Sequence, residues 1–343
     1  MKSITKILVF RLSSIGDIVL TSALIRCLKK QYPDAQIDFV IKKQFKQLVE
    51  FNPHLHTIYT INSSEGIRGL KKVKAAIKQE QYDVFLDIHK NMRSLFIMVG
   101  SGAKKKLTYK KHILKRTLLT SLGLNKYKTI TPVYQRFIEA AKPINVQNDS
   151  EGTELFIPSN IDVKVLQVLL SNGLIGDKPY VLFCPGASFK NKQWLPERFV
   201  ELAKYLLDKE HVNVVLSGGR AEEDICKYIL QETNGRVVDL SVRFTILESA
   251  VIAKYAKAVV ANDTGMLHIS EALKVPVVGI YGPTSRQFGY YPILEKSEVV
   301  EVDLPCRPCT KMGAHSCPKK HWKCMKEITA LMVYNKLKPL IQE

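Results

Sequence analysis

A short run of small residues near the N-terminus ends in an acid. The segment contains Ser13, Ser14, Gly16 and Asp17, and two residues separate it from the apolar run 6–10. Apolar residues at helical spacing come after it. The positive end of a helix dipole keeps an acid in the first helical turn ionised, but that negative charge would repel a phosphate. The pattern therefore favours a general base at Asp17 over a phosphate cradle. A carboxylate that only caps the helix is the alternative.

The loop 184–194 suits a diphosphate. It combines small residues with the Ser188 hydroxyl and with a cation at Lys190 or Lys192. Small residues let the backbone approach a ligand closely, and a Lys ammonium pairs with phosphate oxygens. Neither G-x-G-x-x-G nor G-x-x-x-x-G-K-[ST] occurs in the sequence, so dinucleotide oxidoreductases and P-loop NTPases lose their main support.

A third loop, 217–219, reads Ser-Gly-Gly and is followed by Glu222. The two glycines expose the backbone in a turn, and the Glu222 carboxylate is placed to accept hydrogen bonds from a ribose diol. A plain loop followed by an acidic helix N-terminus explains the pattern equally well.

The most informative loop is 262–268, which reads N-D-T-G-M-L-H after an apolar strand. Asp263 can cap the helix that follows, and Thr264 and Gly265 place consecutive amides at its N-terminus, where anions bind. His268 lies about a turn and a half further along the same helix. A histidine of the core is its alternative role.

Short apolar runs alternate with helical patterns along the whole chain, which predicts the α/β class. The predicted strands are 6–10, 37–41, 57–61, 84–88, 180–184, 212–217, 237–240, 258–261 and 277–281. We expect two Rossmann-like, doubly wound parallel-sheet domains, 1–155 and 156–343, that face a cleft, with ligands at the C-terminal ends of the strands. The last helix, about 325–340, is a candidate to pack back on the first domain.

Five segments occur in a characteristic order: R-L-S-S-I-G-D-I, P-G-A-S-F-K-N-K-Q-W, S-G-G, N-D-T-G-M-L-H and G-I-Y-G-P-T, at 11–18, 185–194, 217–219, 262–268 and 279–284. Together they resemble the ADP-heptose:lipopolysaccharide heptosyltransferases, which are glycosyltransferase family 9 and have the GT-B fold. The resemblance implies an inverting, metal-independent transfer of heptose from ADP-heptose to the inner core of lipopolysaccharide, with no cofactor. A family 9 transferase that uses another nucleotide sugar is the nearest alternative.

The resemblance also implies roles for individual residues. The family's catalytic base falls on Asp17, in an N-terminal acceptor-binding domain. Lys192 falls on a phosphate contact, with Ser188 at a nearby hydroxyl position, and Glu222 falls on a ribose contact. The D-T-G-x-x-H segment holds the diphosphate and the sugar. The implied nucleotide-sugar-binding residues of the C-terminal domain are thus Ser188, Lys192, Glu222, Asp263, Thr264, Gly265 and His268.

Positive charge is concentrated in the first half of the chain. Residues 1–150 carry 27 Lys and Arg against 10 Asp and Glu, a net charge of +17, whereas 151–343 carry 24 against 22. By itself this asymmetry fits nucleic acid, an anionic membrane, a phosphorylated substrate or a generic solubility charge. The basic stretch 104–116 contains one aromatic residue, Tyr109, so base stacking and a nucleic-acid partner are disfavoured. The resemblance implies that the anionic partner is a phosphorylated lipopolysaccharide core. The candidate acceptor-binding residues are then Arg68, Lys72, Arg93, Lys115 and Arg116.

The sequence also bears on location. Arg11 and Asp17 interrupt the N-terminal apolar stretch, which therefore matches neither a signal-peptide core nor a membrane span. The longest uncharged apolar runs elsewhere, such as 94–99, are short enough for buried strands or helix faces. We expect a cytoplasmic protein. Since each exposed Lys or Arg near an anionic bilayer contributes roughly 1 kcal/mol, the resemblance adds peripheral association with the inner face of the inner membrane.

Four of the seven cysteines cluster near the C-terminus, in the pattern Cys306-x2-Cys309-x7-Cys317-x6-Cys324. His315 and His321 lie within the same segment, so its composition allows a structural zinc site. Packed free thiols or a labile disulfide are the alternatives, and we assign no metal to catalysis. The odd number of cysteines argues against a disulfide framework.

Overall fold

The computed structural model describes residues 4–342 and divides into two units. The first unit comprises Met1–His112 and Thr131–Phe156, and the second comprises Ile113–Ile130 and Ile157–Glu343. Residues 113–130 thus belong to the second unit, although they lie within the span 1–155 expected for the first domain. None of the helices in residues 4–342 is long and apolar enough to cross a membrane.

The first unit is built on one five-stranded parallel sheet. Its strands are β1 (Lys6–Phe10), β2 (Gln36–Lys42), β3 (Ile58–Ile61), β4 (Val84–Asp87) and β5 (Lys105–Thr108). Their order is β3-β2-β1-β4-β5, so β1 lies between β2 and β4, with Val9 paired to both Phe39 and Leu86. The first unit also contains the helices α1 (Ile15–Leu20), α2 (Ser22–Gln31), α3 (Gly66–Glu80), α4 (Met92–Val99) and α6 (Val133–Glu139).

The second unit holds a six-stranded parallel sheet with the order β11-β10-β9-β6-β7-β8. Its strands are β6 (Tyr180–Cys184), β7 (Asn213–Leu216), β8 (Val238–Asp239), β9 (Ala258–Asn262), β10 (Val277–Ile280) and β11 (Glu298–Val300). Successive residues of β6 enter the cores on opposite faces of the sheet: Val181 and Phe183 on one, Tyr180 and Leu182 on the other. Burial on both faces is why these strands are continuously apolar in sequence.

The remaining helices belong to the second unit. They are α5 (Ile113–Leu122), α7 (Ser159–Ser171), α8 (Pro196–Lys209), α9 (Glu223–Glu232), α10 (Ile246–Lys254), α11 (Gly265–Ala272), α12 (Lys323–Lys326) and α13 (Ala330–Gln342). The segment predicted as one last helix is thus two helices, α12 and α13. Val333 and Leu337 of α13 pack into the second unit's core beside Phe199 of α8.

The predicted fold class is confirmed, because each unit is built on a parallel sheet. In each sheet the chain first adds strands on one side of the first strand and then adds the later strands on its other side. Such a reversal is a switch point, where the loops leaving two adjacent strands diverge and open a crevice for ligands. The switch point lies between β1 and β4 in the first unit and between β6 and β9 in the second. Two strands, β5 and β11, were not predicted from the sequence.

Candidate functional site

Asp17 lies at the switch point of the first unit. Ser14 is the N-cap of α1, and Asp17 is the third residue of the same helix. The Ser14 hydroxyl donates to Asp17 Oδ2 at 3.1 Å, and the Arg11 guanidinium forms an ion pair with the same oxygen. The Asp17 and Arg11 side chains are 12% and 7% exposed. A cation and a helix N-terminus both favour the ionised carboxylate, the form that can accept a proton.

The loop after β4 is organised by Asp87, which is buried. Its Oδ1 accepts hydrogen bonds from the backbone amides of His89 at 3.0 Å and Lys90 at 2.7 Å. Its Oδ2 accepts from the Ser94 hydroxyl of α4 at 2.6 Å. The strand end, the loop and the start of α4 are therefore fixed as one piece, and Arg93 is exposed on that helix.

His89 in this loop is held neutral. Its Nδ1 atom is buried and has no hydrogen-bond partner within residues 4–342. Burial lowers the pKa of His89 to about 4, and the positive charges of Arg11 and Lys111 act in the same direction, whereas Asp17 opposes them. The uncharged His89 imidazole therefore lies close enough to Arg11 and to the candidate base Asp17 for their charges to act on it.

The switch point of the second unit is tied together by Asn262, the last residue of β9, which is completely buried. Its Nδ2 donates to the carbonyls of Pro185 at 2.7 Å and Gly186 at 3.2 Å, and its Oδ1 accepts from the Trp194 amide at 3.0 Å. Both ends of the loop after β6 are thereby fixed to β9, with Lys192 between them.

Lys192, Asp263 and Thr284 form one polar cluster. The Lys192 ammonium lies 2.7 Å from Asp263 Oδ2, and the Thr284 hydroxyl donates to the same oxygen at 2.9 Å. The Lys192 and Asp263 side chains are 13% and 10% exposed. Arg307 in turn donates to the Thr284 carbonyl at 3.2 Å. Three loops, from β6, β9 and β10, thus converge on one carboxylate oxygen.

The segment after Asp263 has the geometry of an anion site. Thr264 and Gly265 lie at the N-terminus of α11, as the sequence predicts. The predicted cap at Asp263 is wrong by one residue, because Thr264 is the N-cap and Gly265 is the first helical residue. The first amides of a helix have no partner inside the helix and point toward its N-terminal end, where they attract negative charge. His268 is buried on the same helix, and its ring centroid lies 6.1 Å from that of Tyr290.

Glu222 packs against the glycines of two loops. The Gly219 amide donates to Glu222 Oε2 at 2.8 Å. A Cβ atom added at Gly186 would lie 2.6 Å from the Glu222 carboxyl carbon, and one at Gly218 would lie 2.6 Å from Glu222 Cβ. The carboxylate therefore occupies space that only glycine leaves open. Ser188, by contrast, is exposed in the loop after β6.

The C-terminal segment braces Lys192 from the other side. The Ala314 amide donates to Asn191 Oδ1 at 2.7 Å, and the Asn191 amide donates to the Ala314 carbonyl at 3.2 Å. Gly313 has a φ of +119°, a conformation that favours glycine, and a Cβ there would lie 2.8 Å from Lys192 Cδ. This contact gives the cysteine-containing segment a structural role at the site.

The cysteines of that segment are not in disulfides. Cys306 Sγ lies 3.7 Å from His321 Nε2, and burial raises the pKa of Cys324 to about 11. Within residues 4–342, no three His, Cys, Asp or Glu side chains are arranged to hold a metal ion. Cys324 is thus a buried free thiol.

The five candidate acceptor residues lie in two groups. Arg68 and Lys72 are exposed on α3, one turn apart, and belong to the first unit together with Arg93. Lys115 and Arg116 lie on α5 in the second unit. The Arg116 guanidinium carbon lies 5.3 Å from the Phe288 ring centroid and 5.6 Å from that of Tyr290. Since Tyr290 also contacts His268, the structure connects Arg116 to a candidate donor residue.

Sequence reasoning assigned no individual role to Asn262, Thr284 or Arg307, and it considered His89 only as part of the segment 87–94, a candidate acceptor contact. Asn262 and Thr284 lie within the family motifs N-D-T-G-M-L-H and G-I-Y-G-P-T, so these motifs could have indicated them. Arg307 follows Cys306 in a segment whose cysteine pattern suggests a metal site and gives no indication of a role for the arginine. His89 lies in a loop that immediately follows a strand, the place where ligands of parallel sheets bind.

Known proteins with similar sequences indicate the family to which the chain belongs. The family model for glycosyltransferase family 9 (heptosyltransferase) matches residues 70–322. Lipooligosaccharide heptosyltransferase 2 of Campylobacter jejuni is 28% identical over 334 residues, which cover 96% of each chain.

Solved structures share the fold. A glycosyltransferase family 9 protein from Veillonella parvula matches with a TM-score of 0.83 at 21% identity, over 100% of this chain and 99% of that one. The ADP-heptose lipopolysaccharide heptosyltransferase II of Escherichia coli matches with a TM-score of 0.76 at 22% identity, over 98% and 99%. The expected fold is confirmed. Because the family model covers most of the chain, this protein belongs to glycosyltransferase family 9, the heptosyltransferase family, and is a glycosyltransferase.

Proposed function

We propose that this enzyme transfers heptose from ADP-heptose to the inner core of lipopolysaccharide. The observation that carries the proposal is the cluster of Lys192, Asp263 and Thr284 beside the N-terminus of α11. It combines a cation, a carboxylate and free helical amides at a switch point, which are the groups that a sugar diphosphate requires. The similar proteins from C. jejuni and E. coli carry the names of heptosyltransferases, the latter with ADP-heptose in its description.

In this proposal the second unit binds the donor. Lys192 and the amides of Thr264 and Gly265 contact the diphosphate, and negative charge that develops on the leaving ADP strengthens these contacts in the transition state. They supply the stabilisation that a divalent cation provides in other transferases, so transfer needs no metal. Asp263, held by Lys192 and Thr284, accepts hydrogen bonds from sugar hydroxyls.

The rest of the donor contacts follow from position. Glu222 accepts from the ribose hydroxyls, and the exposed Ser188 hydroxyl donates to the phosphates. His268 faces the sugar end of the site together with Tyr290. A ligand held by both its nucleotide and its sugar has its anomeric carbon fixed for attack, which lowers the entropy cost of the reaction.

The first unit supplies the base and the acceptor surface. Asp17 takes the proton of the acceptor hydroxyl as that oxygen attacks the anomeric carbon on the face opposite the diphosphate, which inverts the configuration. Arg68, Lys72 and Arg93 bind phosphates of the acceptor core, and Lys115 and Arg116 add contacts from α5. An acceptor anchored in lipid places the enzyme at the cytoplasmic face of the inner membrane, held there peripherally by its basic first half.

The experiment that tests this proposal is a transfer assay with purified enzyme. The enzyme receives lipopolysaccharide core that lacks the transferred heptose, together with ADP-heptose, GDP-mannose or UDP-glucose in separate reactions. Mass spectrometry then measures the mass of the product. We expect an increase of one heptose with ADP-heptose, in buffer containing a chelator. Transfer from another nucleotide sugar would instead support the alternative family 9 reaction, and no transfer from any donor would contradict the proposal.

A further inference from the structure

An apolar stripe on α4 faces outward. Met92, Leu95, Phe96 and Val99 are 79%, 45%, 38% and 65% exposed. Their spacing of three, four and seven residues places all four on one face of the helix. The apolar run 94–99 is short enough for a buried strand or helix face, yet among these six residues only Ser94 and Ile97 are buried.

The orientation of this stripe is fixed by the opposite face of the helix. The Ser94 hydroxyl donates to the buried Asp87 carboxylate at 2.6 Å, and the Ser94 amide donates to Asn91 Oδ1 at 2.9 Å. Ile97 is completely buried in the core of the first unit. Rotating α4 to bury the stripe would break these contacts, so the packing of Ser94 and Ile97 keeps the apolar face exposed.

Cations surround the stripe. The Lys74 ammonium lies 4.1 Å from the centroid of the Phe96 ring, and the Lys106 ammonium donates to the Val99 carbonyl at 3.3 Å. Arg93 is exposed on α4 itself, and Lys71 and Lys72 are exposed on α3, which packs beside α4. No Asp or Glu occurs between Asp87 and Glu139 in the sequence, so the segment that carries the stripe has no acid of its own.

We propose that the α4 stripe and its cations form the surface by which this enzyme docks on an anionic lipid bilayer. Apolar side chains on a short helix enter the boundary between headgroups and acyl chains, while Lys and Arg around them pair with anionic headgroups. A protein partner would also cover apolar residues, but the excess positive charge selects an anionic surface. The inference rests on the proposed function, because it names the face that meets the membrane.

The position of α4 gives the docking surface a consequence for transfer. The same helix begins at the loop that Asp87 organises, and that loop leaves the sheet next to β1 and its Asp17 loop. Docking through α4 therefore brings the carboxyl edge of the first sheet toward the headgroup layer, where the sugar core of a lipid-anchored acceptor emerges.

Vesicle sedimentation with the full-length enzyme tests this proposal. Vesicles of equal parts phosphatidylglycerol and phosphatidylethanolamine are compared with vesicles of phosphatidylcholine alone. The Met92→Ser/Val99→Ser variant removes the two most exposed members of the stripe. Its matched control is Val163→Ser/Leu331→Ser, since these residues are 53% and 50% exposed on helices of the second unit. We expect wild type and control to bind the anionic vesicles, and the stripe variant to bind about tenfold more weakly.

Charge is tested separately. Lys74→Gln/Lys106→Gln should weaken binding to the anionic vesicles by about 25-fold, or about fivefold for each cation, without changing the weak binding to phosphatidylcholine. Equal binding by wild type and both variants would overturn the proposal. So would a wild type that sediments as a dimer without lipid while the stripe variant sediments as a monomer, because the stripe would then join two copies of the chain.

Transfer to a water-soluble core oligosaccharide without acyl chains separates this proposal from the proposed function. The stripe variant should retain wild-type transfer to that acceptor and lose transfer to acceptor embedded in vesicles. A wild type with no transfer to either acceptor would refute the proposed function, whereas its vesicle binding would still decide the role of α4.

Discussion

Lys192 and Asp263 face each other at 2.7 Å across the second unit's switch point. Both side chains are largely buried, and the Thr284 hydroxyl holds the same carboxylate oxygen. The partner carboxylate fixes the ammonium in place before a phosphate arrives, so little reorganisation is needed on binding. A site that binds a diphosphate through Lys192 should therefore depend strongly on this one side chain.

Replacing that side chain should weaken nucleotide binding. A hydrogen bond to a charged group contributes about 1.5–3 kcal/mol, so Lys192→Ala should raise the Kd for ADP by roughly tenfold to 100-fold. Isothermal titration calorimetry measures this change. Lys190→Ala is the matched control, because Lys190 lies in the same turn but is exposed. An unchanged Kd in Lys192→Ala would refute the phosphate assignment.

Removing the candidate base should stop transfer without affecting the nucleotide. Asp17→Asn preserves the shape of the side chain but cannot accept the proton, so kcat should fall by about 100-fold or more. The Kd for ADP should stay at its wild-type value, since we place the nucleotide in the second unit. Asp34→Asn, an exposed acid of the first unit, serves as control. Turnover retained in Asp17→Asn would remove Asp17 from the role of base.

A methyl group at Gly186 should displace Glu222. Its Cβ would lie 2.6 Å from the Glu222 carboxyl carbon, and a flexible side chain can move away at a cost of roughly 1–3 kcal/mol. Gly186→Ala should therefore weaken ADP binding about tenfold and lower Tm by only a few degrees.

Gly219→Ala is the comparison for that prediction. A Cβ at 219 would lie 3.4 Å from Glu222 Oε2, which is ordinary van der Waals contact, and the Gly219 amide would still be available. Its ADP affinity should match wild type. Equal affinities for wild type and Gly186→Ala would show that Glu222 does not contact the ribose.

His89 should make stability depend on pH. Its pKa is lowered from 6.5 to about 4 by burial and by nearby cations. As the pH falls from 6.5 to 4, the unfolded chain binds a proton at this position and the native protein does not, so the free energy of unfolding decreases. We expect this contribution to amount to about 2 kcal/mol, which allows for screening by solvent.

Denaturant unfolding at a series of pH values measures the effect. The decrease between pH 7 and pH 4 should be smaller in His89→Gln than in wild type by that amount. His211→Gln, at an exposed histidine of the second unit, should follow the wild-type curve. Parallel curves for wild type and His89→Gln would mean that His89 titrates normally in the native protein.

Local pattern was enough to predict the elements that carry the site. Asp17 is indeed in the first turn of α1, and Thr264 and Gly265 do lie at the N-terminus of α11, because each placement depends on a few neighbouring residues. The alternation of apolar runs with helical spacing predicted parallel sheets with ligand loops at one edge. The ordered motifs then indicated glycosyltransferase family 9, which the family model confirms.

Contacts between distant residues could not be predicted in this way. The bond between Thr284 and Asp263 spans 21 residues, and Asn191 meets Ala314 across 123. Arg116 joins the second unit because its guanidinium stacks on Phe288 and Tyr290, far along the chain. Such pairs form only when strands have taken their order in the sheet, and neither spacing nor composition encodes that order.

The α4 stripe also shows the difference between what local sequence determines and what tertiary contacts determine. The sequence by itself determined the spacing of Met92, Leu95, Phe96 and Val99. Once the segment is helical, the period of the helix places these four residues on one face. Whether that face is buried or exposed depends on what packs against the other side. Ser94 and Ile97 bind α4 to the first unit from within, so only the tertiary structure turned an apolar face outward.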